Sequence, residues 1–148
     1  MNFTAREEYG LLAVLHLACH EGSGPIQSRE IARSEGIPEQ FLEQVLAGLR
    51  RGGIVRSVRG AAGGYELARS PREITAGDVF RALSGPIVPI QCVDGESSRC
   101  EKSDGCVVVD LWQRVQAAIT QVLDGTTIQD MVEAKVRRER QGSFMMYI

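Results

Sequence analysis

The stretch Ile54-Val55-Arg56-Ser57-Val58-Arg59-Gly60-Ala61-Ala62-Gly63-Gly64-Tyr65-Glu66-Leu67 decides the fold class. Ile54-Val55-Arg56 and Tyr65-Glu66-Leu67 have the β-branched and aromatic make-up of two short strands. Between them Ser57 to Gly64 holds three glycines, with Arg56 and Arg59 at the base of the loop. Glycine admits positive φ and lets a backbone come close to a phosphate chain. Taken alone, such a hairpin is an ordinary surface loop. Its upstream neighbours change its meaning.

Immediately before it, the spacing predicts two short helices joined by a tight turn. The first starts near Ser28, turns Ile31 and Ala32 inward and stops at Gly36. The second opens at Ile37-Pro38, where the missing proline N–H costs nothing in a first helical turn. Its apolar stripe is Phe41, Leu42, Val45, Leu46 and Leu49, and Gly52-Gly53 closes it. Two helices around a glycine-containing turn are the geometry of a helix-turn-helix. A basic hairpin directly after the second helix is then a wing, and the expected fold is mainly α with one small β-hairpin.

An amphipathic helix precedes this unit, from Thr4 to His20, with Leu11, Leu12, Val14, Leu15 and Ala18 at helical spacing. Thr4 and Glu7 form a capping-box pattern at its start. Downstream, Thr75 caps a short helix running to Leu83, and residues 85–106 are irregular and rich in Gly, Ser, Pro and Cys. A long helix follows from about Val107 to Leu123, with Val108, Leu111, Trp112, Val115, Ile119 and Val122 stepping by three and four. A last helix begins at Thr127 and ends in the mixed charges of Lys135 to Arg140. The expected organisation is a winged helix-turn-helix DNA-binding domain over 1–84, a cysteine-containing loop over 85–106, and a dimerisation helix with a C-terminal helix over 107–140. The apolar stripe of the long helix is wider than so small a domain needs, which points to a homodimer with two heads, the alternative being a monomer that buries the stripe internally.

Charge supports the same reading once its distribution is considered. The formal net charge is -2, which by itself argues against nucleic acid. Residues 25–72, however, hold eight Arg against five Glu, and Arg50 to Gly60 has four Arg and no acid. A local basic strip is what phosphate contact requires. No apolar run approaches the ~20 residues that span a bilayer, and the N-terminal residues lack a signal-peptide core. The expectation is a cytoplasmic protein with no membrane partner. No nucleophile–base pairing or phosphate-binding loop is present, so an enzyme is not expected.

The sequence resembles the Rrf-type (IscR/NsrR-like) winged helix-turn-helix regulators to about residue 132. The matching residues are Glu8-Tyr9 with Leu11-Leu12, Glu30-Ile31-Ala32 before Gly36-Ile37, Phe41-Leu42-Glu43-Gln44, Leu46, and Leu49-Arg50. Ser57-Val58-Arg59-Gly60, Gly63-Gly64-Tyr65-Glu66-Leu67, Ile74-Thr75 and Asp78-Val79 complete the pattern. The resemblance implies a DNA-contacting helix at 38–51, a wing at 54–67 and a double-stranded DNA operator as partner. Gln40, Glu43 and Gln44 then reach base edges in the major groove, where Gln suits adenine and Glu accepts from cytosine N4. Arg59 enters a narrow minor groove. Ser28, Arg50, Arg51, Arg56 and Ser57 hold phosphates.

Of the four cysteines, Cys92, Cys100 and Cys106 are separated by seven and five residues, and the first gap is polar and glycine-containing. Thiolates are the preferred ligands of iron–sulfur clusters and of zinc. Three of them leave a four-ligand site one short. By resemblance, members that sense iron–sulfur status carry three cysteines in this place. Some supply a histidine three residues after the last, where this chain has Val109. Others use a carboxylate near the N-terminus from the partner subunit, and the matching residue here is Glu8, with Glu7 beside it. The expected cofactor is therefore an iron–sulfur cluster, [2Fe–2S] or [4Fe–4S], on Cys92, Cys100, Cys106 and Glu8. A zinc staple, a metal-free thiol switch, and an interaction module that no longer binds DNA are the alternatives. Cys19 is expected to be a small core residue, and His16 and His20 to be structural, exposed, or able to complete the site.

Overall fold

The computed structural model describes residues 3–87 and 105–145. Its elements are α1 (Ala5–Cys19), α2 (Ser28–Glu35), α3 (Glu39–Arg51), β1 (Val55–Val58), β2 (Gly64–Leu67), α4 (Ala76–Ser84), α5 (Val107–Asp124) and α6 (Ile128–Met145). The six helices and the antiparallel β1–β2 hairpin are the expected fold class. Cys92 and Cys100 lie outside the described residues.

Local chemistry fixes the helix ends. α1 starts behind Thr4, whose backbone N–H donates to Glu7 Oε2 at 2.9 Å, and α4 starts behind Thr75, whose hydroxyl accepts from the Asp78 N–H at 3.0 Å. Both are capping boxes, in which two otherwise orphaned donors are satisfied reciprocally. α2 stops at Gly36, which takes the left-handed conformation at φ 68°. Pro38 stands at the N-cap of α3 rather than in its first turn. β1 begins one residue later than the composition suggests because Ile54 still belongs to the turn, its N–H donating to Leu49 O.

One core holds the unit together. Val14, Ile31, Leu42, Val45, Leu46, Leu49, Ile54, Val55, Ile74, Val79 and Ile128 are all at most 2% exposed. Fully burying such a side chain contributes about 1.5–3 kcal/mol, so this set dominates the stability. Ile128 brings the start of α6 into the same core as α1–α4. Backbone bonds from Ala76 N to Thr126 O and from Ile128 N to Ile74 O stitch that junction to the start of α4. Ile26 and Tyr65 pair as an antiparallel bridge, which pins the chain entering α2 to the wing.

α5 behaves differently. Val109 is its one buried residue, and α4 is the element it packs against. Val108 (54% exposed), Leu111 (51%) and Val122 (66%) lie open on one helical face, with half-buried Val115 and Ile119 between them. Cys19 is exposed, not core as the sequence suggests, because it falls on the last turn of α1.

Candidate nucleic-acid interface and cysteine segment

The buried side of α3 (Leu42, Val45, Leu46, Gly48, Leu49) leaves the opposite side to solvent. Gln40, Glu43 and Gln44 are exposed there, and Arg50 and Arg51 extend the same side at its C-terminal end. A helix whose polar face is so completely unoccupied can enter a major groove, which admits one helix. The N-terminal end of α2 borders it. Ser28 donates its hydroxyl to Glu43 Oε1 at 2.8 Å, joining the two helices of the turn.

The wing stands beside this face. β1 and β2 pair Val55 with Leu67, Arg56 with Glu66, Ser57 with Tyr65 and Val58 with Gly64. Ser57 and Arg59 are exposed. A groove of about 280 Å³ separates the wing from the helices, lined among others by Ser28, Arg29, Glu39, Gly60 and Gly64. Gly64 has no room for a side chain: a Cβ there would sit 2.4 Å from Ile26 O, and φ is +152°. The close pass of wing and α2 depends on that glycine.

Electrostatics separates the arginines. Arg56 donates to Glu66 Oε1 at 2.7 Å across the hairpin, so its charge is partly answered within the wing. Arg50, Arg51 and Arg59 form no ion pair among the described residues. Sequence reasoning missed Arg29, which is exposed in the first turn of α2 on the same groove and only loosely opposed by Glu39 at 3.9 Å. Its position one residue after Ser28 was the available signal.

Of the candidate cluster ligands, Cys106 and Glu8 are described. Cys106 is the N-cap residue of α5, half-buried, a free thiol with no side-chain capping bond. Glu8 is exposed in the first turn of α1. Its neighbour Glu7 is 3% exposed and committed, accepting from Thr4 and from the hydroxyl of Ser84 at the end of α4. Burial works to raise the Glu7 carboxyl, but the Thr4 hydroxyl and N–H, its own N–H and the charge of Arg6 outweigh it and hold the group below the usual carboxylate range. Glu7 is thereby unavailable as a ligand, whereas Glu8 is free to face outward.

The histidines lie elsewhere. His16 is buried with Nδ1 2.9 Å from Glu35 Oε1, and His20 Nδ1 is 2.8 Å from His16 O. They sit about 12–18 Å along α1 from Glu8, at 1.5 Å per residue, and their described partners lie in α1 and α2. Partial burial, reinforced by Glu139 and Glu35 against the opposing charge of Lys135, pushes the Cys19 thiol up. Among the described residues no three metal-ligating side chains come together, and no helix is long and apolar enough to cross a membrane.

Comparison with known proteins agrees with this architecture. The Rrf2 family model, described as "Iron-dependent Transcriptional regulator", matches residues 3–134. The HTH-type transcriptional regulator CymR of Bacillus subtilis is 37% identical over 148 residues, covering all of both chains. The HTH-type transcriptional regulator IscR of Pectobacterium atrosepticum is 34% identical over 135 residues, 91% of this chain and 81% of its own. Among solved structures, CymR (YrzC), the global cysteine regulator of B. subtilis, superimposes with a TM-score of 0.78 at 36% identity, covering 90% of this chain and 98% of its own. T. potens IscR gives 0.76 at 38% identity, covering 91% and 88%.

Proposed function

The chain belongs to the Rrf2 family and is a DNA-binding transcription regulator, not an enzyme; from that premise we propose that it works in the cytoplasm as a homodimer whose operator affinity follows the state of an iron–sulfur cluster. The observation that carries the DNA-binding part is the unoccupied polar face of α3 beside the wing, with Gln40, Glu43 and Gln44 at its reading end. Arg50 and Arg51 at the far end of α3, together with Ser57 and Arg56, take phosphates and position the head without specifying sequence. Arg59, directly after β1 at the base of the wing loop, reaches the adjacent minor groove.

Two heads require a joining element, and the apolar face of α5 supplies it. This divides the chain into a head over 1–84, a ligand-bearing segment over 85–106 and a dimer arm over 107–140. In a twofold dimer the same face meets itself, so each exposed side chain is covered twice.

The donor set fits a cluster with one weak ligand. Cys92, Cys100 and Cys106 supply soft thiolates, and the partner's Glu8 the fourth position, open on the protein surface because Glu7 rather than Glu8 closes the capping box. When bound, the cluster supplies an iron centre whose loss or oxidation is the signal. The chain's own part is mechanical: Cys106 sits at the first turn of α5, so ligation there fixes the start of the dimer arm. Purified without oxygen, the protein should be coloured and contain iron and sulfide, and Cys100→Ala should be colourless.

A second reading is favoured by one specific finding, the full-length similarity to CymR, whose solved structure names it a cysteine regulator. There the three thiols act without metal. A colourless anaerobic preparation that lacks iron and changes DNA affinity on oxidation supports it, and stoichiometric zinc would instead make the site a structural staple.

A further inference from the structure

Ser28 and Glu43 lie fifteen residues apart on two different helices, yet Ser28 Oγ donates to Glu43 Oε1 at 2.8 Å. We propose that Ser28 is a positioning residue that sets the angle of the Glu43 carboxylate, and that it enters DNA recognition by this route and not as a phosphate donor. The inference rests on the reading that α3 enters the major groove.

Both ends of the contact are anchored. The chain entering α2 is held to the wing by Ile26 N to Tyr65 O at 2.9 Å and Tyr65 N to Ile26 O at 2.7 Å. Ile31 fixes α2 from below, and Leu42 and Leu46 fix α3, each with no measurable exposure. Glu43 itself is exposed and forms no ion pair among the described residues. The Ser28 hydroxyl is thus the polar group that selects one arrangement for a side chain with three rotatable bonds. A serine has a single proton to donate. Once it is given to Glu43, none is left for a phosphate oxygen.

A carboxylate accepts and cannot donate, so in the major groove it favours the amino groups of cytosine and adenine and is repelled by the acceptor edges of guanine and thymine. Such rejection works only if the carboxylate cannot swing aside. Held by Ser28, Glu43 faces a wrong base without escape. Released, it moves toward solvent and the wrong base is tolerated. The position therefore gains specificity by penalising alternatives, not by adding affinity for the right sequence.

The test uses duplexes recovered by the full-length protein from a randomised pool, and their single-base variants, titrated at fixed salt. Ser28→Ala should reduce discrimination at the Glu43-dependent base pair by about three- to tenfold, mainly by tightening binding to the wrong bases. Ser28→Thr keeps a hydroxyl and should restore discrimination. In a Glu43→Ala background, Ser28→Ala should have no further effect on preference. Equal melting temperatures of the four variants and the unaltered protein exclude misfolding as the cause. A uniform loss of affinity for every duplex after Ser28→Ala, the same with or without Glu43, overturns the positioning role and returns Ser28 to phosphate contact, while base reading by α3 stands. An unchanged preference after Glu43→Ala overturns that base reading and this inference with it.

Discussion

Replacing Leu111 by Ala should weaken the dimer without weakening the subunit. Leu111 is 51% exposed in the single chain, on a face that also holds Val108 and Val122. Fully covering a leucine contributes about 1.5–3 kcal/mol, so covering the remaining half contributes about 1 kcal/mol. A twofold interface contains the residue twice, which gives about 2 kcal/mol per dimer. At 1.4 kcal/mol per factor of ten, Leu111→Ala should raise the dimer dissociation constant about 30-fold. Sedimentation equilibrium over a dilution series reads this directly. Gln113→Ala is the control, because Gln113 is exposed on the opposite side of α5 and should leave the constant unchanged. The melting temperature of the diluted subunit should hold, since half of Leu111 is already in water. DNA affinity should fall at concentrations where the variant is monomeric and recover where it is dimeric. A dissociation constant within twofold of the unaltered protein, or the same shift for Gln113→Ala, refutes the assignment of this face.

Glu7→Gln puts an amide where three donors converge from Thr4 and Ser84, and should cost about 1–3 kcal/mol of stability. Because the Glu7 carboxyl titrates below its usual range, its contribution is full above the ordinary carboxylate pKa and is lost as pH falls through the depressed folded value. The gap between Glu7→Gln and the unaltered protein in urea titrations should therefore narrow with acidification; a constant gap would sink the argument. Gly64→Ala meets both a positive φ and the Ile26 carbonyl, whereas Gly60→Ala meets a positive φ of 111° and open space. Thermal melts should show the larger loss at Gly64, beyond the 1–3 kcal/mol order expected of strain alone, and equal losses would mean that the wing shifts freely away from α2.

Much of this molecule was legible before any coordinates, for identifiable reasons. Capping boxes at Thr4 and Thr75, the stop at Gly36 and the stripe of α3 are local signals, each set by residues within four positions of one another. They survive because the tertiary structure agrees with them. What was not legible is what distance in sequence conceals. The capping-box spacing separates Glu7 from Glu8, but nothing in the chain says that Glu7 also meets Ser84 across 77 positions and is buried there. Likewise the places of Ser28 and Arg56 in the motif suggest phosphate contacts but do not reveal their partners within the chain, Glu43 and Glu66. Pairing of this kind depends on how helices and strands are oriented, which periodicity does not encode. Cys19 was misplaced for a simpler reason: an apolar neighbourhood in sequence does not determine which side of a helix end is covered.

On the proposed reading, the packing of α4 offers a short route from the cysteine segment to α3. α4 leads directly into that segment, and its last residues are clamped on several sides. Ser84 is bonded to Glu7 of α1, and Arg81 makes a two-pronged pair with Asp124 of α5 at 2.8 and 2.7 Å. Just beyond, Ile87 O accepts from Gln116 of α5 at 3.0 Å. On its inner side α4 presses against glycines. A Cβ on Gly10 of α1 would lie 2.3 Å from Leu83, one on Gly48 of α3 3.1 Å from the same side chain, and one on Gly52 2.5 Å from Ala82. Side chains of α4 fill the space that each missing Cβ leaves, and close-packed interiors transmit displacement rather than absorb it. A change that moves the end of α4 relative to α5 must therefore displace α3, or break contacts that leave no slack. Arg81–Asp124 is too exposed to contribute much stability on its own. Its consequence is geometric: it ties the helix packed against the buried side of α3 to α5, so in the proposed dimer the angle between the heads and the position of α3 would be set together.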